Sequence, residues 1–440
     1  MDNIWFIAAM GRLFFLAGIS PMLAQAAGGG LQIDAVNSNG QISWTNAFPS
    51  GVCTVEAASQ LSGGAGQTAW VPRQNYFTTN SAGSGGCALW PGNNFFRLRA
   101  VDISSNTPQA FTNFVDSFGL LHTIAGSGAD AGVDGSNYWQ ASFEGGYATN
   151  AALSRPHFAL EDCSGSVYIV DKGSDSVLKV TTDGRIHTVA GTHAAGNGPD
   201  SSTPATNVAM NLPNGLWMRS DGTVYVLDTG NSKVRRLATN GMMTTLLTDA
   251  KGIKSGRGLW VRNDEALAYY CSSSNLRQWT SAGGVSNLNK EFNDLGNIII
   301  SGNNIVATDR GDNTVWLVST NTGARALLFG NGGTNIVVDD TPALTNSLYG
   351  VRGVWQPPIG GYFLATDFGA QLLYVDVAGM IHTLVDGYED THAGDGQWFY
   401  TPGYKFGQLR SVSMDNQGNL LIVENDLGYV RRIDFQRLSP

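Results

Sequence analysis

RIHTVAG (185–191) and NLPNGLWMRSDGTVYVLDTGNSKVRRLATNG (211–241) decide the fold of this 440-residue chain. The second segment holds three short runs, GLWMR (215–219), TVYVLD (223–228) and KVRRLA (233–238), parted by Asp-Gly and Thr-Gly-Asn turns. A fourth run, MMTTLL (242–247), follows. Runs of five or six residues rich in Val, Tyr and Leu between Gly, Asn and Asp clusters read as strands. The pattern recurs along the chain. The second strand of each unit ends at Asp171, Asp228, Cys271, Asp309, Asp367 and Glu424, spaced 57, 43, 38, 58 and 57 residues apart. Periods of this size with four strands each predict an all-β, radially repeated fold, a β-propeller. VYIV (167–170) and VYVL (224–227) are apolar on both faces, as a blade packed between two neighbours requires.

Six first strands follow the period: HFALE (157–161), GLWMR (215–219), GLWVR (258–262), NIIIS (297–301), GVWQP (353–357) and SVSMD (411–415). The last unit ends at Tyr429–Asp434 without a fourth strand, whereas LLHTIAG (120–126) precedes the first unit as an orphan matching RIHTVAG (185–191). Closure by residues 120–125 as the outer strand of the last blade is therefore expected, because it removes the open sheet edges. Residues 119–440 thus read as one six-bladed domain.

Pro213-Asn214-Gly215 and Ser220–Asp228, followed by a basic third strand and a Gly-x-x-x-Thr-apolar-Ala-Gly outer strand, resemble the NHL-repeat propellers. The resemblance implies the fold. It does not fix a function, because the same scaffold serves binding modules, scaffolds, lyases and hydrolases. Amidating lyases of this type hold zinc with several channel histidines. Only His157 stands at the corresponding position here, so no metal set is expected.

The region before the propeller divides in two. Leu13–Ala24 is an apolar core ending in Ala24-Gln25-Ala26, which reads as a cleavable leader over residues 1–26 and an exported, secreted or periplasmic protein without a membrane span in its mature form. Residues 31–116 read as a small β-sandwich with strands LQIDAV, QISWTN, CTVEAA, WVPRQNYFT, FFRLRAVD and QAFTNFV. Leu89–Asp102 resembles the E–F corner and strand F of a fibronectin type III domain, with Phe95 where that family carries a tyrosine. Cys53 and Cys87 could bridge within it. No two of the four cysteines have C-x-x-C spacing, which gives no support to a Cys-type zinc site.

With 26 Lys and Arg against 35 Asp and Glu, the net charge is −9, and no basic run stands out. Nucleic acid is therefore excluded as a general partner. Within this acidic chain, the residue before each innermost strand forms a ring at one mouth of the channel: His157, Asn214, Arg257, Leu295, Arg352 and Arg410. Three arginines on one axis predict either neutralisation by the strand-end acids Asp171, Asp228, Asp309, Asp367 and Glu424, or an anion-accepting pocket. Long loops 126–156, 191–213 and 386–409 are expected to carry Trp139, Trp398 and Tyr400 to the same mouth as stacking platforms. The histidines of the outer strands, His122, His187 and His382, read as structural.

The leading expectation is an exported protein that binds an anionic or carbohydrate ligand through Asn214, Arg257, Arg352 and Arg410. The first alternative is an enzyme, a lyase or hydrolase with His157 as acid or base and the arginines as clamps, or more remotely a quinone-dependent sugar dehydrogenase. The second is a scaffold for another exported protein. No cofactor is evident. A calcium ion on Asp and backbone oxygens stays open, with Asp130–Gly135 as a partial loop match.

Overall fold

The computed structural model describes residues 8–10, 31–37, 39–60, 68–86, 94–104, 107–129 and 136–436. Most of the expected leader, Cys87, the corner at 87–93 and the calcium-like loop at 130–135 lie outside these residues. The chain forms two compact units. One runs to Leu120 and includes Pro357–Gly360 and the residues from Asp434; the other comprises Leu121–Gln356 and Gly361–Ile433.

The first unit is a β-sandwich. A three-stranded sheet, ordered Gln32–Val36, Gln41–Thr45, Gly83–Gly86, faces a sheet ordered Ala8–Met10, Asn94–Asp102, Gly51–Ala58, Val71–Thr78. Ile42, Trp44, Cys53, Val55, Phe96 and Leu98 form its core. Cys53 is a buried free thiol. Ala8–Met10, inside the segment read as a leader, pairs antiparallel with Asn94–Phe96.

One expectation for this unit fails, and one strand was not foreseen. QAFTNFV, read as a strand, belongs to an α-helix, Pro108–Asp116. Thr107 caps it by accepting the Ala110 N–H at 3.2 Å, Pro108 opens the first turn, and Ala110 and Phe114 bury one face four residues apart. A capped Thr-Pro start outweighs the short alternation of apolar residues. Gly83–Gly86 is a strand that composition conceals. A Cβ at Gly85 would lie 2.3 Å from the Tyr76 side chain, so the glycines are what allow the sheet to close over that ring. Phe435, just after the last repeat, joins this unit by stacking on Phe77 at 4.1 Å.

The second unit contains six antiparallel sheets; five have four consecutive strands as their body, and the sixth has three. The innermost strands are Pro156–Glu161, Pro213–Met218, Leu259–Val261, Leu295–Ser301, Val351–Trp355 and Leu409–Met414. Each touches the next, and the sixth touches the first, so the ring closes. Leu121–Ala125 completes the sixth blade by pairing with Tyr429–Ile433 in the register Ile433↔Leu121, Arg431↔Thr123, Val430↔Ala125. Apolar clusters fill the spaces between blades, such as Leu216, Val226 and Val170 between the first two. Burial on both faces is why these strands read as continuous apolar runs.

The long loops run along the outside of the blades. Thr203–Pro204 adds a fifth strand beyond Met242–Thr248, and Thr341–Pro342 does the same beyond Met380–Val385. Gly396 N–H donates to Leu121 O and Leu121 N–H to Gln397 O, which ties the 386–409 loop to the outer strand of the sixth blade. Each of these loops continues inward to start the innermost strand of its blade.

Candidate functional site

A repeated backbone irregularity builds the channel mouth. In blades one, two, five and six the ladder shifts register at the start of the innermost strand, and the residue skipped is His157, Asn214, Arg352 or Arg410. A β-bulge re-aims the side chain of its extra residue. The blades also crowd together here. A Cβ on Gly215 would lie 2.2 Å from Arg257 O, and one on Gly296 would lie 2.6 Å from Arg352 O. Glycine after the bulge lets neighbouring inner strands meet, which brings distant arginines to one axis.

The charges form a connected network. Asp367, fully buried, holds Arg352 at 2.5 Å, Arg410 at 2.6 Å and Arg310 at 3.6 Å. Arg410 also pairs with Asp426 at 3.0 Å, and Asp426 with Arg155 at 2.5 Å. Arg310 reaches Asp294 at 2.7 Å, and Arg257 lies 3.7 Å from the same carboxylate. Five arginines, Arg155, Arg257, Arg310, Arg352 and Arg410, thus share three carboxylates, Asp294, Asp367 and Asp426, a surplus of two positive charges. Burial and then the neighbouring Arg257 and Arg410 push the Arg352 pKa well down, which reports the same crowding. The Nε atoms of Arg257, Arg352 and Arg410 and the Oδ1 of Asn214 are buried with no hydrogen-bond partner among the described residues. A buried polar atom in that state calls for an explanation, a water or an ion among them.

His157 is buried in the same mouth. Its Nδ1 lies 3.0 Å from both Arg155 O and Asn425 Nδ2. Burial, followed by the charges of Arg410, Lys172 and Arg257, lowers its pKa well below the usual value, so the imidazole is neutral near pH ~7.

The strand-end acids divide by role. Asp171 accepts from Ser154 N–H at 3.0 Å, Asp228 from Asn211 N–H at 2.8 Å, Asp309 from Asn293 N–H at 2.8 Å and Glu424 from Gly407 N–H at 3.1 Å. Each braces the loop that enters its own blade. Asp228 and Glu424 also pair with the buried third-strand arginines Arg235 and Arg431. Of the five acids, Asp367 is the one paired with the ring arginines. Asp171 Oδ1 is orphaned, and desolvation raises its pKa to about 6. The unfolded carboxyl releases its proton near ~3.9, so the folded state holds the proton more tightly between those values. Stability should therefore fall as pH rises from about 4 to about 6, by on the order of 2–3 kcal/mol relative to Asp171→Asn. Urea denaturation of both proteins across that window measures it; parallel profiles would refute the assignment.

Other expected residues lie elsewhere. Leu295 belongs to the core between blades three and four, and that blade supplies Asp294 and Arg310 instead. Trp139 stacks on His193 at 4.7 Å, whose ring touches Thr188 of the first blade's outer strand. Trp398 and Tyr400 form a cluster with buried Phe399, next to the Gln397 link to Leu121. Loops that travel along the outer strands leave these three aromatics away from the arginines. Cys271 is a fully buried thiol whose pKa burial pushes up to about 12, as suits a small core residue. His122, His187 and His382 lie in outer strands. Among the described residues no group of three or more His, Cys, Asp or Glu could hold a metal ion.

Sequence reading missed Arg310 and Phe368, which directly follow the strand-end acids Asp309 and Asp367. The signal was present, since the residue after a strand-end acid faces the same mouth as the residue before an innermost strand.

No family model matches the chain, and no curated protein matches it. Solved structures do. A structural genomics protein of unknown function from Bacteroides thetaiotaomicron is 14% identical with a TM-score of 0.55, over 90% of this chain and 93% of that one. Auxiliary nutrient binding proteins from B. thetaiotaomicron and Bacteroides ovatus, 11% and 12% identical, each give a TM-score of 0.53 over 89% of this chain and 93% of theirs. At such identities the likeness establishes the fold. The chain is a β-propeller protein with an N-terminal β-sandwich.

Proposed function

We propose that this is an exported binding protein, in which an NHL-type propeller captures an anionic ligand at the channel mouth and a fibronectin III-like sandwich acts as a spacer. The observation that carries this reading is the network's surplus of two positive charges around buried Arg352 and Arg410, with guanidinium Nε–H groups that have no protein acceptor among the described residues. A guanidinium fork grips carboxylate, sulfate or phosphate in two places at once, so an anion would satisfy both the charge and the donors. Two of the structural neighbours are described as nutrient-binding proteins, which is in keeping with a capture role.

Arg257 offers the cleanest test. It is the least committed of these arginines, 3.7 Å from Asp294 and otherwise bonded, among the described residues, to the Ser255 and Leu295 carbonyls. Arg257→Ala should weaken capture of small carboxylates or phosphate at least ~10-fold in calorimetry with little loss of stability, and Arg257→Ala with Arg352→Ala and Arg410→Ala should abolish it. Unchanged binding in the triple variant would refute the reading.

A second reading is favoured by the neutral, buried His157. A neutral imidazole beside an arginine clamp could take a proton from a bound carboxylic substrate. Turnover of any bound ligand that His157→Ala eliminates, with binding retained, would make the site catalytic.

A further inference from the structure

The mouth carries one feature that charge does not account for. Tyr349 and Phe368 remain 38% and 48% exposed, with centroids 5.1 Å apart and planes tilted by 38°. Phe368 directly follows Asp367, and the Arg310 guanidinium lies 5.3 Å from its ring centroid. Tyr349 precedes Gly350, where a Cβ would lie 2.8 Å from the Phe368 ring, so the glycine fixes how the two aromatics abut. An apolar platform thus adjoins a buried cationic site.

The geometry points to an acidic saccharide as the ligand, with its carboxylate or sulfate on the arginines and the C–H face of its sugar ring on Tyr349 and Phe368. Three observations select it. The surplus of two charges suits a small anion. Two rings at 38° form a stepped surface instead of a parallel slot that would sandwich a flat aromatic ligand. Their exposure beside a ring of buried donors matches a ligand with one charged end and one amphipathic face. This inference rests on the anion-binding reading and adds the second contact to it.

Calorimetry on the full chain with four probes tests it: a galacturonic acid trimer, a sulfated galactose oligomer, the neutral galactose trimer, and benzoate. At least one acidic sugar should bind and the neutral trimer should not; which acidic sugar binds separates carboxylate from sulfate. Tyr349→Ala with Phe368→Ala should weaken the acidic sugar about tenfold and leave acetate or phosphate binding unchanged. Phe368→Leu keeps bulk over Gly350 and removes the aromatic face, so it should reproduce part of that loss even if the alanine variant is unstable. Acidic-sugar affinity untouched by these variants, or benzoate binding more tightly than either acidic sugar, overturns the saccharide assignment while anion binding stands. Failure of every anion to bind the wild-type protein overturns both.

Discussion

Replacing Asp367 by Asn should cost roughly 3–5 kcal/mol of stability, and added sulfate or phosphate should restore much of it. The carboxylate is fully buried and touches Arg352, Arg410 and Arg310. Breaking a buried pair from one side strands the charges that remain. Here five arginines would face two carboxylates, and the surplus would rise from two to three. The same change that destabilises the empty protein should therefore tighten anion binding. Urea titrations of both proteins with about 50 mM sulfate, and with chloride at matched ionic strength so that screening is the same, provide the check. Equal loss with and without sulfate would mean that the network holds no accessible anion site. By contrast, Asp171→Asn or Asp309→Asn should show no such rescue, because those carboxylates brace loop N–H groups.

A comparable loss is expected from Leu121→Asp, for a different reason. Leu121 is fully buried in the outer strand that closes the sixth blade, opposite Ile433. A lone carboxylate there would be buried without a partner, at an effective cost of several kcal/mol. Detachment of Leu121–Ala125 would also bare the edge of Tyr429–Ile433, and an unpaired edge recruits other chains. The variant should therefore melt at lower temperature and form soluble oligomers in light scattering, more so as concentration rises. A monomeric variant of wild-type stability would show that the closing strand contributes little. Glu265, in contrast, sits in a partly exposed cluster with Arg219 and Arg236, where Glu265→Gln should change stability by no more than ~1 kcal/mol.

How much of the site was legible depends on the length scale of the signal. Ring position followed from alignment of the repeats, because the residue before an innermost strand is a local property of each unit. His157, Asn214, Arg352 and Arg410 are all bulge residues for that reason. Which acid meets the arginines was not legible. Asp171, Asp228, Asp309 and Asp367 stand at equivalent places, yet three turn back to loop N–H groups and one turns to Arg352 and Arg410. That choice depends on the partner offered by the neighbouring blade. Loop aromatics misled in the opposite direction. Trp139, Trp398 and Tyr400 lie in segments that do enter innermost strands, but those segments first pass along the outer strands, where the aromatics pack. Phe368, in a short connection beside Arg310, and Tyr349, at the end of the 330–350 loop and packed on Phe368, were overlooked.

By itself, the amino-acid sequence determined the six-fold repeat, the doubly apolar blades and the strand that closes them, since each is written in periodicity and in the match between residues 120–126 and 185–191. Tertiary structure alone decided that Arg155, Arg257, Arg310, Arg352 and Arg410 share Asp294, Asp367 and Asp426. These residues span more than half the chain, and only ring closure, with glycines such as Gly215 and Gly296 letting the backbones touch, brings their charges within range of one another. Coulombic coupling falls with distance through space, which a linear pattern of residues does not encode.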